Sequence, residues 1–266
     1  MFAARPPRSQ YDVCFRLGSI PVRVHPFFWL VAVLLGANQS DKSPQTLLIW
    51  VGSLFFSILL HELGHAAAII YYGWRPEITL YAFGGLASYN PGYTSEFGSY
   101  NRPGNKSKGQ IMISLAGPFA GFLFAGLIIA SLYAFNRSMP LPLPKLNIVV
   151  GRGGIIEHPY LLMLVWHLLY INLLWGLINL LPIYPLDGGQ VSREVLMLSN
   201  PRDGVRISLI VSIVASVMMA IAGIMLFKTF FVTILFGLLA FNNYQMLQQY
   251  TGGYGGGGGY GGGNPW

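Results

Sequence analysis

From Gln45 to Tyr72 the chain is apolar almost without interruption, and before the closing tyrosines its ionisable side chains are His61, Glu62 and His65. A bilayer offers no water to backbone N–H and C=O groups, so a run of this length and composition has to be an α-helix. Residues four apart on a helix share a face, about 6 Å apart along the axis. Two imidazoles so placed can reach one tetrahedral zinc ion. Glu62, next to the first of them, can orient a water molecule and accept its proton. The competing reading is two histidines and a glutamate on a solvated face. The flanks Ile58-Leu59-Leu60 and Ala66-Ala67-Ala68-Ile69-Ile70 argue against it, because they keep water away. Ionisable groups in a membrane helix are costly and mark function.

Composition extends this reading to the whole chain. Of 266 residues, 53% are hydrophobic and 9% charged, against about 25% charged in a soluble domain. The expected fold is an all-α polytopic membrane protein with about six transmembrane helices and a small membrane-associated β-hairpin. Residues 1–250 form one intramembrane domain with its core in 26–250, and the Gly/Tyr-rich residues 251–266 form a disordered tail. The net charge of +7 does not point to nucleic acid, because the basic residues lie in short segments between apolar runs, where they set topology. The single cysteine, Cys14, excludes an internal disulfide. No long apolar core follows the basic N-terminus, so no signal peptide is expected.

The expected spans are Phe27–Ala37, which is short, then Gln45–Tyr72, Ile111–Phe135, Tyr160–Leu181, Val205–Phe227 and Thr229–Gln249. Gly73 is placed to stop the second. Phe15–Val24 alternates apolar and polar residues as a short strand or interfacial segment does. Two β-prone runs, Ile78–Phe83 and Leu86–Tyr89, flank Gly84-Gly85 as a hairpin would. Pro91–Gly109 and Asn136–Pro159 read as loops. Gly117, Gly121 and Ala125 make a small-residue stripe, as do Ser208, Ser212, Ser216 and Ala220, and both suit close helix packing. His25 and His158 read as packed or interfacial.

An N-terminus in the cytoplasm puts eleven basic residues inside: Arg5, Arg8, Arg16, Arg23, Arg75, Arg102, Lys106, Lys108, Arg193, Arg202 and Arg206. Five fall outside: Lys42, Arg137, Lys145, Arg152 and Lys228. The bias favours both termini inside, most simply in the cell (inner) membrane, with His61 and His65 toward the cytoplasm.

A catalytic zinc needs a third protein ligand and one open position. The candidates are His167, Glu77, Glu157, Asp187 and Glu194. His167 and Glu157 have the wrong depth or side, and Glu77 and Glu194 flank basic residues. Asp187 follows a helix broken by Pro182 and Pro185, where irregular backbone has to line a protein cavity. Its alternative role is an interfacial aspartate capping the next helix.

His61-Glu62-Leu63-Gly64-His65, Ala116-Gly117-Pro118 and Asn179-Leu180-Leu181-Pro182-Ile183-Tyr184-Pro185-Leu186-Asp187-Gly188 together resemble the site-2 protease family of intramembrane zinc metalloproteases. The likeness covers roughly residues 15–250, without a PDZ insertion or a CBS domain. It implies His61, His65 and Asp187 as ligands of one Zn2+ per chain and Glu62 as catalytic acid/base. It implies Asn179 as a substrate or transition-state contact. Asn172, on the same helix face, is a lesser candidate and equally suits an interhelical hydrogen bond. Phe83-Gly84-Gly85-Leu86-Ala87 resembles the family's membrane-associated hairpin and makes Gly84, Gly85, Leu86 and Ala87 candidates for binding substrate.

The function expected is hydrolysis of a peptide bond within or near a transmembrane segment of a membrane-anchored protein. The partners are that substrate and the lipid bilayer, and nothing in the sequence indicates an oligomeric state. A non-catalytic homologue that binds membrane helices would not need Glu62. A metal transporter would spread polar groups through the bilayer depth, whereas here they cluster on one side.

Overall fold

The computed structural model describes residues 8–37, 43–81, 84–89, 103–142, 148–225 and 230–252. The expected Gly-rich tail from 253 onward lies outside them, as does most of the basic arm. Contacts divide the chain into two units, Phe2–Leu181 and Pro182–Trp266. Among the described residues, five helices are long and apolar enough to cross a membrane. Within their most apolar stretches only 17–39% of residues are buried. Helices apolar on every face but buried on so few have lipid as their natural solvent. The chain is an integral membrane protein.

The first unit is built on a four-stranded sheet in the order β1-β2-β3-β4: β1 (Val13–Leu17), β2 (Ile20–Val24), β3 (Pro76–Tyr81) and β4 (Gly84–Tyr89). The expected strand around Phe15–Val24 is thus a hairpin. β2 pairs in parallel with β3, Val22 opposite Ile78 and Val24 opposite Leu80. Between these partners run α1 (Pro26–Gly36) and α2 (Pro44–Tyr71), so the chain leaves the sheet and returns to it after a helical hairpin.

α1, the expected short first span, is about 16 Å long at 1.5 Å per residue. Val22, Val24, Ile78 and Leu80 from the sheet share one buried cluster with Phe28, Ala32, Leu54, Leu59 and Ala66. The sheet therefore lies alongside the second half of α2 rather than below its end. Starting from that depth, α1 reaches the beginning of α2, where Trp50 Nε1 donates to the Ala32 carbonyl at 3.0 Å.

α2 starts at Ser43, whose Oγ accepts from Thr46 N–H, with Pro44 at the first helical position. It ends at Gly73, φ +82°, where Trp74 N–H reaches back to the Ile69 carbonyl at 3.1 Å. α3 (Pro103–Ala134) and α4 (Pro159–Asn179) pack with α2 and with each other. α3 begins eight residues before the expected Ile111, inside the segment read as a polar loop. His25 and His158 cap α1 and α4, their Nδ1 atoms accepting from Phe27 and Leu161 N–H.

The segment from Asn136 to Pro159, read as a loop, holds a second small sheet. β5 (Arg137–Pro140) lies between β6 (Val149–Gly151) and β7 (Gly154–Ile155). Strands of two to four residues carry too little alternation to be read in sequence. Gly151 and Gly153, both at positive φ, turn the chain between β6 and β7.

The second unit contains an irregular segment from Pro182 to Leu186, then α5 (Asp187–Ser199), α6 (Gly204–Met225) and α7 (Phe230–Gly252), with α6 packed on α7.

Candidate metal centre

On α2, His61 and His65 are both buried, and their Nε2 atoms face each other at 3.1 Å. Two ligand nitrogens at about 2.0–2.1 Å from a tetrahedral ion are about 3.3 Å apart, so the pair is spaced as ligands of one metal. The protonation of His65 follows from its other nitrogen. Nδ1 lies 2.7 Å from the Ile113 carbonyl, and a carbonyl only accepts. Nδ1 is therefore the protonated nitrogen and Nε2 keeps its lone pair. A buried pair of imidazoles with a lone pair aimed into the gap fits a bound cation.

Glycines bring the neighbouring backbone to this point. A Cβ on Gly117 of α3 would run into His65 Nε2 and stand 2.8 Å from His61 Nε2. Gly64, inside the motif, faces the Ala116 carbonyl so closely that a side chain there would collide with it. The small-residue stripe on α3 thus makes room for the imidazoles as well as for helix packing. Pro118 removes the helix hydrogen bond that Ser114 O would otherwise accept.

Glu62 is buried. A Cβ on Gly85 would overlap the Glu62 side chain from Cγ to its carboxyl oxygen. This corrects the expected hairpin. Gly84 and Gly85 are not its turn but strand residues of β4, paired with Tyr81 and Leu80. Gly85 lacks a side chain because the Glu62 carboxyl occupies the space. Gly84, Leu86 and Ala87 are placed on β4 by their backbone, their side chains lying outside the described residues. β4 pairs only with β3, which leaves its other edge open among the described residues.

Asn172 of α4 is buried and donates both amide hydrogens, to Ser57 Oγ at 2.9 Å and to the Leu168 carbonyl at 2.8 Å. It is an interhelical tie one turn before His61, with its donors already used. Asn179, the last residue of α4, is buried and donates to the Trp175 carbonyl at 3.0 Å. His167 packs edge-on against Trp50 at 5.2 Å between ring centres, and Glu157 pairs with Arg137 at the exposed second sheet.

In the second unit Asp187 is buried at the first position of α5, where a carboxylate is favoured by the helix N-terminus. The glycine after next, Gly189, lies so close to the backbone of Ile183 and Tyr184 that a side chain would collide with it. Ser57 and Ile113 were missed in the sequence. Ser57 could have been found from its four-residue spacing to His61; a backbone carbonyl such as Ile113's has no sequence signal.

The profile of Peptidase family M50 matches residues 49–222, and the chain belongs to this family. It is 31% identical over 211 residues to the putative zinc metalloprotease sll0528 of Synechocystis, covering 73% of this chain and 47% of that protein. It is 28% identical over 186 residues to zinc metalloprotease MJ0392 of Methanocaldococcus jannaschii, covering 68% and 44%. The chain thus spans less than half the length of these relatives. In structure it resembles the site-2 protease from Methanocaldococcus jannaschii, with TM-score 0.55, 22% identity, and coverage of 89% of this chain and 95% of that one. That likeness is one of fold.

Proposed function

We propose that the chain is a zinc metalloendopeptidase of the site-2 protease type, cleaving a peptide bond within or near a transmembrane segment of a membrane-anchored protein. The observation that carries this reading is the convergence of His61 Nε2 and His65 Nε2 at 3.1 Å beside a buried Glu62 that is backed by an edge strand. His61, His65 and Asp187 hold the ion, each of them a buried side chain able to ligate a metal. Zinc, when bound, supplies Lewis-acid polarisation of the scissile carbonyl and acidifies water.

Glu62 accepts a proton from the attacking water and delivers it to the leaving amine. A helical substrate hides its carbonyls in i→i−4 bonds and has to unwind before it can be cut. Each backbone group freed in a water-poor site costs several kcal/mol. The open edge of β4 satisfies those groups by pairing with the extended substrate, with Asn179 as a further contact. The site faces the cytoplasm in this reading, the orientation that the basic-residue bias favours.

The roles separate on substitution. Glu62→Gln should retain metal at wild-type stoichiometry and lose cleavage of a tagged model substrate, because Glu62 is not a ligand. Asp187→Ala should lose both. Equal metal loss in the two variants would overturn this assignment.

A further inference from the structure

The segment that carries the chain into Asp187 has no regular structure, yet nearly all its backbone polar groups from Ile183 to Leu186 are satisfied. The Ile183 carbonyl accepts from Leu186 N–H at 2.8 Å, and the Leu186 carbonyl accepts from Gln190 N–H at 3.0 Å. The Pro185 carbonyl accepts from Gln190 Nε2 at 3.3 Å. Tyr184, three residues before Asp187, is held from two other helices. Its N–H donates to Ser212 Oγ of α6 at 3.0 Å, and its carbonyl accepts from Asn243 Nδ2 of α7 at 2.7 Å.

Both side chains are almost completely buried, and their hydrogen-bonding geometry leaves no choice of orientation. Ser212 Oγ donates to the Ser208 carbonyl at 2.9 Å, so it receives the Tyr184 N–H on a lone pair. Asn243 Nδ2 has a second carbonyl, Leu239's, at 2.8 Å. Two acceptors beside one atom require the amide nitrogen there. Ser212 was read in the sequence as one of a row of small packing residues. Its neighbour in that row, Ser216, fits that description: it is fully buried and its hydroxyl has no partner among the described residues.

We propose that Ser212 and Asn243 are positioning residues for the Asp187 carboxylate. They hold the N–H and the carbonyl of Tyr184, in the peptide groups before and after its Cα, and so fix where the first turn of α5 begins, with Gly189 letting that turn lie against Ile183 and Tyr184. The inference rests on the reading of Asp187 as a metal ligand. Apolar surroundings make the clamp strong, because an amide released there finds no water.

The test is metal affinity of the full-length chain in detergent, measured by titrating the metal-free protein with Co2+ and following its ligand-field absorption. Ser212→Ala and Asn243→Ala should each weaken Co2+ binding by about 10–100-fold, the range typical of groups that orient metal ligands. Ser216→Ala, an equally buried hydroxyl outside the clamp, should leave it unchanged. In an Asp187→Ala background, titrated at the high Co2+ concentrations where the two histidines alone still bind weakly, the clamp substitutions should add nothing, since their effect runs through that carboxylate. If the alanine variants do not fold, Ser212→Thr and Ser212→Val add the same bulk and differ in the hydroxyl; the threonine variant should bind Co2+ more tightly. Unchanged affinity on Asp187→Ala would overturn the ligand reading, and the clamp with it. Loss on Asp187→Ala with unchanged affinity in the clamp variants, or an undiminished clamp effect in the Asp187→Ala background, would overturn the clamp alone. Equal affinity of the threonine and valine variants would do the same.

Discussion

Gly85 and Glu62 occupy adjoining space: the strand residue has no side chain where the glutamate places its carboxyl. The edge of β4 and the proposed proton carrier are therefore positioned by one contact. Gly85→Ala should push the Glu62 carboxyl aside while leaving both histidines in place. The expected result is a loss in kcat of about 100-fold, the usual cost of displacing a reacting group by about 1 Å, with metal content unchanged. Cleavage of a model substrate alongside metal analysis of the same preparation distinguishes this from general damage.

Gly117→Ala should do the opposite. A methyl group there enters the gap between the two Nε2 atoms, so metal content should fall with activity. Gly121→Ala is its comparison. Four residues along the same helix, a Cβ would meet the Asn172 side-chain oxygen at 3.3 Å, and metal should be retained.

Substrate pairing with β4 predicts a period of two. Single cysteines from Leu80 to Tyr89, in a Cys14→Ser and Glu62→Gln background, should cross-link to a cysteine-scanned substrate at alternate positions in both chains. Substrates with Gly or Pro near the scissile bond should be cut faster than an all-Leu helix, which resists unwinding. Cross-links at helical spacing, or faster cleavage of the all-Leu substrate, would rule the pairing out.

Reporter fusions after Asn101 and after Asn200 should report the cytoplasm, and a fusion after Asn147 the far side. The reverse pattern would place the site on the outer face.

Asp12, just before β1, and Arg23 of β2 form an ion pair at 3.0 Å, with both side chains largely buried. Burial pushes the Asp12 carboxyl up, but the Ser9 N–H and the Arg23 guanidinium more than offset this and hold it below the ordinary carboxylate value. A carboxyl depressed in the folded state adds stability above its unfolded pKa of about 3.9, and that stability is lost as pH falls through the lower folded value. Wild-type protein in detergent should lose thermal stability below about pH 4. Asp12→Asn should be less stable near neutrality by about 1–3 kcal/mol and should show a flatter slope in that acid range.

The helices were legible because length and apolarity alone decide what crosses a bilayer. The His61–His65 pair was legible because a four-residue spacing has one meaning on a helix. Gly85 was misread because a glycine pair between strands is a turn signal, and only the position of Glu62 reveals the other reason for glycine. Ser212 and Ser216 look alike in sequence, and what separates them is the peptide of Tyr184, which reaches the first and not the second. The pairing of Val22 with Ile78 has no local signature, since a whole helical hairpin lies between them.

That pairing also bears on how the protein is made. β1 and β2 are synthesised before α1, but β2's parallel partner follows only after α1 and α2 have both emerged. Until then the Val22–Val24 edge has no parallel partner. The sheet closes only when α2 has delivered Pro76–Tyr81 beside it. Closure of the sheet thus records that the first helical hairpin has been inserted, and β4 is the last strand to join.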